Sequence, residues 1–232
     1  MKKMYSNEFS DKDHELIEFS NELNPRIQIE PKYFNLNFSP NPKLYGRFAV
    51  LDRLSKALDL IPTDYGFLIW DAYRPRAVQA SLFQWMREEI RQKFPWFSEE
   101  ENFLETKKYM SVPSVVGEAY CPPHLSGGAI DLTFFELENC QALDLGTPFD
   151  DCTERAHSDY FNKKKQLSAE EKIFKDRRGL LQAALIKVGF TSYRYEWWHF
   201  DLGDIFWSQF NECPAVFGPL FGDEEWPIHA DL

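Results

Sequence analysis

The eight residues from His124 to Asp131, with the sequence HLSGGAID, constrain this chain more than any other stretch. Two adjacent glycines let the backbone turn sharply, because they have no Cβ atom. The run that follows, Leu132 to Phe135, is apolar, aromatic and β-branched, which predicts a strand in the core. A histidine on a turn and an aspartate near the start of a buried strand could therefore converge on one point, where a metal ion would suit them.

Composition indicates a globular chain of one domain. Of 232 residues, 44% are hydrophobic and 16% aromatic, enough to build a sizeable core. We find no repeat, linker or composition break, so a single domain over residues 1–232 is expected. The net charge of −11 argues against nucleic acid or an anionic membrane surface as a partner.

The sequence also bears on the compartment. No apolar run approaches the roughly 20 residues of a membrane span, and residues 1–10 lack the apolar centre of a signal peptide. We therefore expect a cytoplasmic protein, or a periplasmic one if a leader has been removed. The four cysteines show no Cys-x-x-Cys spacing and are expected as reduced thiols, although Cys140 and Cys152 could pair in an oxidising compartment.

Periodicity and punctuation predict helices and strands in alternation. Ser98 with Glu101, and Ser168 with Glu171, match capping boxes that open helices. A weak helical pattern surrounds Leu16. The principal predicted elements are helices over 48–60, from Pro75 in the first turn to a stop at Pro95, and over 168–188, and strands over 66–70, 132–135 and 190–200.

Two of the five histidines lie beside predicted core strands, namely His124 and His199, whereas the others fall in polar stretches. A catalytic zinc site commonly uses three ligands drawn from His and Asp/Glu. With Asp131, the two histidines would supply that set. The alternative from spacing alone is structural: His124 and Asp131 would cap a turn and a strand end, and His199 would form a buried hydrogen-bonded pair with Glu196.

Glu196, three residues before His199, is the candidate general base for a zinc-activated water. In a regular strand these two positions point to opposite faces. They can share a pocket only if the strand twists, bulges or ends between them.

Arg74 follows the predicted strand 66–70 and precedes Pro75, which stiffens the backbone. A fixed arginine there could stabilise a developing oxyanion. A surface salt bridge with Asp71 would explain it equally well.

Three motifs together resemble the D-alanyl-D-alanine dipeptidases, whose best-known members are the vancomycin-resistance dipeptidases. These are Trp70 to Pro75 (WDAYRP), His124 to Leu132 (HLSGGAIDL) and Glu196 to His199 (EWWH), which agree with the family in order and spacing. The resemblance runs from about residue 33 to 200, with N-terminal and C-terminal extensions expected to pack on it.

The resemblance implies an α+β fold, with helices packed on a largely antiparallel sheet that carries the zinc site, as in hedgehog-type and D,D-peptidase domains. It implies zinc, one ion per chain, held by His124, Asp131 and His199, with Glu196 as general base and Arg74 polarising the scissile carbonyl. Asp71 would position Arg74. Further residues implied to border the dipeptide are Asp150, which would bind its ammonium, and Tyr33 and Tyr45.

The chain departs from the resistance enzymes immediately before His124. Two serines there, whose hydroxyls lie by the substrate carboxylate, are replaced by Pro122 and Pro123. Proline offers neither a side-chain donor nor a backbone N–H. The expected activity is hydrolysis of D-alanyl-D-alanine or a close dipeptide by a zinc-activated water. The alternatives are a murein endopeptidase or carboxypeptidase acting on longer peptides, and a non-catalytic zinc-binding interaction domain.

Overall fold

A mixed five-stranded sheet forms the centre of the molecule in the computed structural model, which describes residues 9–220. Its strand order is β2-β4-β5-β7-β6; β2 and β4 are parallel and the other neighbours are antiparallel. A separate antiparallel pair joins β1 and β3. The strands are β1 Leu16–Phe19, β2 Ile27–Ile29, β3 Leu44–Arg47, β4 Tyr65–Asp71, β5 Ala129–Glu136, β6 Thr191–Ser192 and β7 His199–Asp201.

The helices lie between these strands, so the fold is α+β, as expected. Both predicted capping boxes are present: the hydroxyls of Ser98 and Ser168 accept from the amides of Glu101 and Glu171, whose carboxylates accept from the cap amides. The helices are α1 Lys32–Asn35, α2 Phe48–Ala57, α3 Arg76–Lys93, α4 Glu99–Tyr109, α5 Tyr160–Lys163, α6 Ala169–Lys187 and α7 Ile205–Asn211.

The central strand β5 is buried along almost its whole length. Ile130, Leu132 and Phe134 alternate with Asp131 and Thr133, so the two sets point to opposite faces of the sheet. The first set belongs to the main hydrophobic cluster, to which α2 and α6 also contribute. The apolar face of β5 thus anchors the strand, and its polar face is left to carry Asp131.

The expectation of one strand over 190–200 is wrong, because this segment forms a hairpin. Strands β6 and β7 pair with each other, and residues 193–198 between them form the turn. Glu196 therefore precedes β7 instead of lying within a strand. The alternation of strand side chains no longer separates it from His199, and the geometric objection disappears.

The weak helical pattern around Leu16 is also wrong, since residues 16–19 form β1. Pairing with β3, in the register Leu16↔Arg47 to Phe19↔Leu44, buries Phe19 completely. Tertiary pairing here prevails over a short local pattern.

Several further expectations concern the chain ends and the cysteines. Most of the stretch 1–10 considered as a signal peptide, the end of the acidic tail and His229 lie outside the described residues. The described parts of both extensions meet, because the ring of Phe9 packs edge-on against Trp207 and Phe217. All four cysteines are free thiols, and Cys140 and Cys152 are not bridged. Within residues 9–220, we find no helix that is both long and apolar enough to cross a membrane.

Gly66 tests how closely β4 packs against its neighbours. A Cβ atom there would lie 2.5 Å from the carbonyl oxygen of Arg26 and would collide with the ring of Phe135, the residue opposite in β5. We expect Gly66→Ala to lower the free energy of unfolding by about 1–3 kcal/mol, as overpacking does. Urea denaturation of the purified variant measures this.

Gly179 provides the matched control, because it is exposed in α6 and a Cβ there has no atom within 4 Å. Gly179→Ala should stabilise the protein by about 0.4–1 kcal/mol through the helix preference of alanine. A Gly66→Ala variant as stable as the parent would contradict the packing described for β4.

Candidate functional site

A row of three polar side chains crosses the sheet from β4 through β5 to β7. Asp71 pairs with Asp131, and Asp131 pairs with His199 in the next strand. Residues paired directly across antiparallel strands project from the same face, with Cβ atoms about 4.5–5.5 Å apart. The strand register alone therefore brings one histidine and two carboxylates together.

His124 reaches the same point from a short 3₁₀ turn, Pro123–Ser126, which immediately precedes β5. The turn ends at Gly127, whose φ of 71° favours glycine. At Gly128 any Cβ atom would collide with the carbonyl oxygen of Leu202, so the backbone passes too close for a side chain. The two glycines of the HLSGGAID stretch therefore allow the turn and its approach to the sheet.

The donor atoms of His124, Asp131 and His199 lie within 4.8 Å of one another, and all three side chains are buried. His124 Nε2 is 3.2 Å from His199 Nδ1 and 3.3 Å from Asp131 Oδ2, while His199 Nδ1 is 2.9 Å from Asp131 Oδ1. Two imidazoles and one carboxylate are a typical donor set for catalytic zinc.

The outer nitrogen of each ring has a partner that only accepts hydrogen bonds. His124 Nδ1 is 2.6 Å from the carbonyl oxygen of Ala72, so it carries the proton. His199 Nε2 is 2.8 Å from Asp201 Oδ1 and donates to it. In the neutral rings the inner nitrogens are then bare lone pairs that face each other and Asp131. This arrangement needs a cation between them, so the residues fit a zinc ion.

The electrostatics of the cluster also favour a positive charge. Burial opposes ionisation of Asp131, but the neighbouring histidines outweigh it and hold its pKa well below the usual range. Burial would lower the pKa of His199, yet Asp201 and Asp131 raise it well above the usual value. Without a metal, a protonated imidazole can take the place of the cation.

Asp201 is a site residue that our sequence analysis missed. It follows His199 by two positions in β7, so both side chains lie on the same face, which is a signal that could have identified it. Its own neighbour is Asp204, whose Oδ1 accepts from the amides of Phe206 and Trp207 at the start of α7. The orientation of His199 is therefore tied to the beginning of the last described helix.

Glu196 lies in the turn before β7, with Oε2 3.9 Å from His199 Nδ1. The turn is fixed by the two tryptophans that follow: Trp197 donates to Thr147 Oγ1 at 2.8 Å, and the carbonyl of Trp198 accepts from the amide of Leu132 at 3.1 Å. Burial raises the pKa of Glu196 well above its usual value. A raised pKa makes a carboxylate a stronger base, which suits it to take up a proton and return it.

Arg74 is buried, and its guanidinium is held on several sides. Nε and Nη2 donate to Asp71 Oδ2 at 2.9 and 2.8 Å, and Nη1 donates to Gln79 Oε1 at 2.8 Å. Nη2 also lies 3.6 Å from Asp131 Oδ2. Burial alone would lower the pKa of Arg74, but the surrounding acidic groups raise it, so the arginine stays charged. Gln79 was not foreseen in the sequence.

Asp150 lines the same cavity with an incompletely satisfied carboxylate. Its Oδ1 accepts from the hydroxyl of Tyr33 at 3.3 Å, while its Oδ2 is buried with no hydrogen-bond partner among the described residues. Burial, which is the largest effect, raises the pKa of Asp150 to about 7. The preceding Phe149 packs against Trp70 and Trp198 and so fixes the position of this carboxylate.

Two predicted substrate-binding residues lie away from the metal cavity. Tyr45 packs with Tyr73 and Leu125 and is not among the residues that line the cavity. Asp71 contacts Arg74 and, at 3.4 Å, His124 Nδ1, so it supports the site from behind.

The site has a small inner part and a neighbouring wider cleft, and the linings of the two share Lys107, Ser111 and Phe206. The inner part, of about 30 Å³, has room for no more than a few water molecules. The outer cleft, of about 390 Å³, is lined by Lys107, Ser111, Val112, Tyr120 and Phe206. The inner part is lined by Tyr33, Arg74, Lys107, Lys108, Tyr109, Met110, Ser111, His124, Asp131, Asp150, Tyr193, Glu196, His199 and Phe206.

Comparison with known proteins agrees with this geometry. The family model described as D-ala-D-ala dipeptidase matches residues 50–215, most of the chain and all of the candidate metal ligands. The chain belongs to this family. As a D-Ala-D-Ala dipeptidase family member, it is a zinc-dependent metallopeptidase and therefore a hydrolase.

Individual relatives span most of the chain. The D-alanyl-D-alanine dipeptidase of Enterococcus faecium is 27% identical over 200 residues, covering 80% of this chain and 91% of the relative. That of Synechocystis is 30% identical over 182 residues, covering 72% of each. Among solved structures, a vancomycin-resistance D,D-pentapeptidase VanY mutant in complex with Zn(II) shows 12% identity and a TM-score of 0.43, over 75% of this chain and 82% of that one.

We expect Asp201→Asn to weaken zinc binding by about 10–100-fold, because an amide no longer fixes the His199 tautomer as a carboxylate does. Competition with a chromogenic chelator measures the affinity directly. Asp59→Asn removes the same charge at an exposed position and should leave the affinity unchanged. Equal affinities in the two variants would refute the role of Asp201.

Proposed function

We propose that this family member hydrolyses D-alanyl-D-alanine or a closely related free dipeptide into its two amino acids. One observation carries the proposal: the inward-facing donors of His124, Asp131 and His199 share one cavity with Glu196 and with Asp150, whose Oδ2 has no hydrogen-bond partner among the described residues. The metal donors and Glu196 would act on the amide bond that is cleaved, and Asp150 would bind the ammonium group of a small substrate. The relatives described above are D-alanyl-D-alanine dipeptidases, which act on the same class of dipeptide.

In this proposal His124, Asp131 and His199 hold the zinc ion. When bound, zinc supplies Lewis acidity to water and to the scissile carbonyl group. The buried surroundings of the three side chains keep competing water away and strengthen every charge interaction within the cavity.

Glu196 handles the proton. Its carboxylate accepts a proton from the attacking water and passes it to the nitrogen of the leaving amino acid, so that the C–N bond breaks with a neutral amine as leaving group. The raised pKa of Glu196 makes its carboxylate a stronger base for this proton transfer. The tryptophan-anchored turn keeps the carboxylate beside His199 throughout.

Arg74 is a fixed positive charge opposite the developing oxyanion. Because Asp71 and Gln79 already hold the guanidinium, it needs little reorganisation as the carbonyl oxygen gains charge. Asp71 thus acts as a positioning residue through Arg74, in agreement with the role implied by the sequence motif.

Asp150 binds the substrate ammonium, and Tyr33 steadies Asp150 through its hydroxyl. A carboxylate with a buried, unpartnered oxygen is costly unless a cation meets it. This preference for a free amino end favours a dipeptidase over an endopeptidase, whose substrate continues beyond that point. We further propose that the chain forms one domain, since the main hydrophobic cluster joins residues from Phe19 to Phe217.

The direct test is release of free D-alanine from D-alanyl-D-alanine by the purified zinc-loaded protein. We expect release that stops on addition of a chelator and returns when zinc is restored. N-acetyl-D-alanyl-D-alanine, which lacks the ammonium, should be cleaved far more slowly. Rapid cleavage of longer murein peptides with no cleavage of the dipeptide would overturn the proposed substrate class.

Glu196→Gln should retain zinc but lose turnover by about 10²–10⁴-fold, because the amide cannot take up the proton. Zinc content by atomic absorption and kcat for D-alanyl-D-alanine are measured on the same preparation. Glu170→Gln, at an exposed position in α6, is the control and should match the parent. Near-normal kcat in Glu196→Gln would remove this residue from the mechanism.

A further inference from the structure

The proposed substrate carries a charge at each end, and the site described so far accounts for only one of them. Asp150 meets the ammonium, but a free dipeptide also presents an α-carboxylate. This carboxylate must leave water and needs a cationic or N–H donor in return. The following inference rests on the proposed function and identifies that donor.

Three cationic side chains line the inner cavity: Arg74, Lys107 and Lys108. The guanidinium of Arg74 is already occupied by Asp71 and Gln79 and lies close to the metal ligands. The ammonium of Lys108 is paired with Glu105, at 2.5 Å between Nζ and Oε2. Neither of these two cations is available to a second carboxylate without breaking an existing ion pair.

Lys107 is different. It lies in the last turn of α4 with an exposed side chain, and no carboxylate of the described residues is within ion-pair distance of its ammonium. Its Nζ makes a weak cation–π contact with Phe103, at 5.6 Å from the ring centroid. A lysine at the edge of a cavity with an uncommitted ammonium can turn towards an anion at small cost.

The position of Lys107 also differs from that of Asp150. Lys107 lines both the inner cavity and the outer cleft, whereas Asp150 lines only the inner cavity. A substrate bound to both side chains would then extend from the inner cavity, which also contains the metal ligands and Glu196, towards the outer cleft. On the His124 side, Pro122 and Pro123 present neither a backbone N–H nor a polar side chain that could compete for the carboxylate.

We propose that Lys107 binds the α-carboxylate of the dipeptide and so sets the direction in which the substrate lies. The amino end points towards Asp150, and the carboxyl end points towards the outer cleft. The side chain of the second residue then faces Val112, Tyr120 and Phe206. Lys107 is a substrate-binding residue that recognises a free C-terminus.

The test compares two ligands that differ only at this carboxylate. D-alanyl-D-alanine and its C-terminal amide are titrated by calorimetry into the zinc-loaded Glu196→Gln protein, in which turnover does not interfere. We expect Lys107→Met to weaken binding of the dipeptide about tenfold and binding of the amide less than twofold. Lys107→Arg, which keeps the charge, should retain most of the affinity for the dipeptide.

Lys108→Met is the matched control, because it removes the same charge from the same helical turn while Lys107 remains. It should leave the ratio of the two affinities as in the parent. An equal loss for both ligands in Lys107→Met would indicate a purely structural role, and no loss for either would also overturn the proposal.

The proposed function is judged separately, by D-alanine release from the parent protein. If both ligands bind but the dipeptide is not hydrolysed, the proposed function fails while the comparison of affinities still decides the role of Lys107. If neither ligand binds to the zinc-loaded protein, both proposals are overturned.

Discussion

The carboxylates of Asp71 and Asp131 are buried side by side on neighbouring strands. The other groups of the site are arranged around these two negative charges. Burial of two like charges is strongly unfavourable unless cations compensate for them. Arg74 compensates for the first, and a cation held between His124, Asp131 and His199 would compensate for the second. The groups proposed to bind the metal thus also contribute to folding, which makes the site part of the energetics of the protein core.

Because the sheet already orders the backbone, this arrangement needs little additional loss of backbone conformational entropy. Because Asp131 lies on the central strand, its two neighbours are placed by hydrogen-bonded register instead of by flexible loops. The opposite face of the same strand is anchored by apolar side chains in the main core. His124 and Glu196 lie in turns. The turn that contains His124 begins at Pro123 and ends at Gly127, and the turn that contains Glu196 is anchored by Trp197.

Much of the site was accessible from the sequence, since the three candidate ligands lie in motifs with distinctive order and spacing. The relation of Glu196 to His199 was not, because the aromatic run 190–200 has the composition of a strand and gives no sign of the turn within it. Lys107 was missed for another reason. It is one of many exposed lysines, and only the fold shows that it borders the cavity and has no acidic partner within residues 9–220.

The placement of Tyr45 illustrates the same difficulty. The number of residues between Tyr45 and the HLSGGAID stretch does not indicate whether the Tyr45 side chain packs towards the metal cavity or away from it. Local signals, by contrast, were reliable where the physics is local. Both capping boxes formed as expected, because each depends on residues three positions apart in the chain.

The two imidazoles of the cluster are oriented by groups of different kinds. The ring of His199 depends on a side-chain carboxylate, but that of His124 depends on the main-chain oxygen of Ala72. A peptide carbonyl is present whatever amino acid is encoded at that position. Genetic drift can therefore erode the support of one ligand through a single codon, while the support of the other persists for as long as the backbone keeps its path.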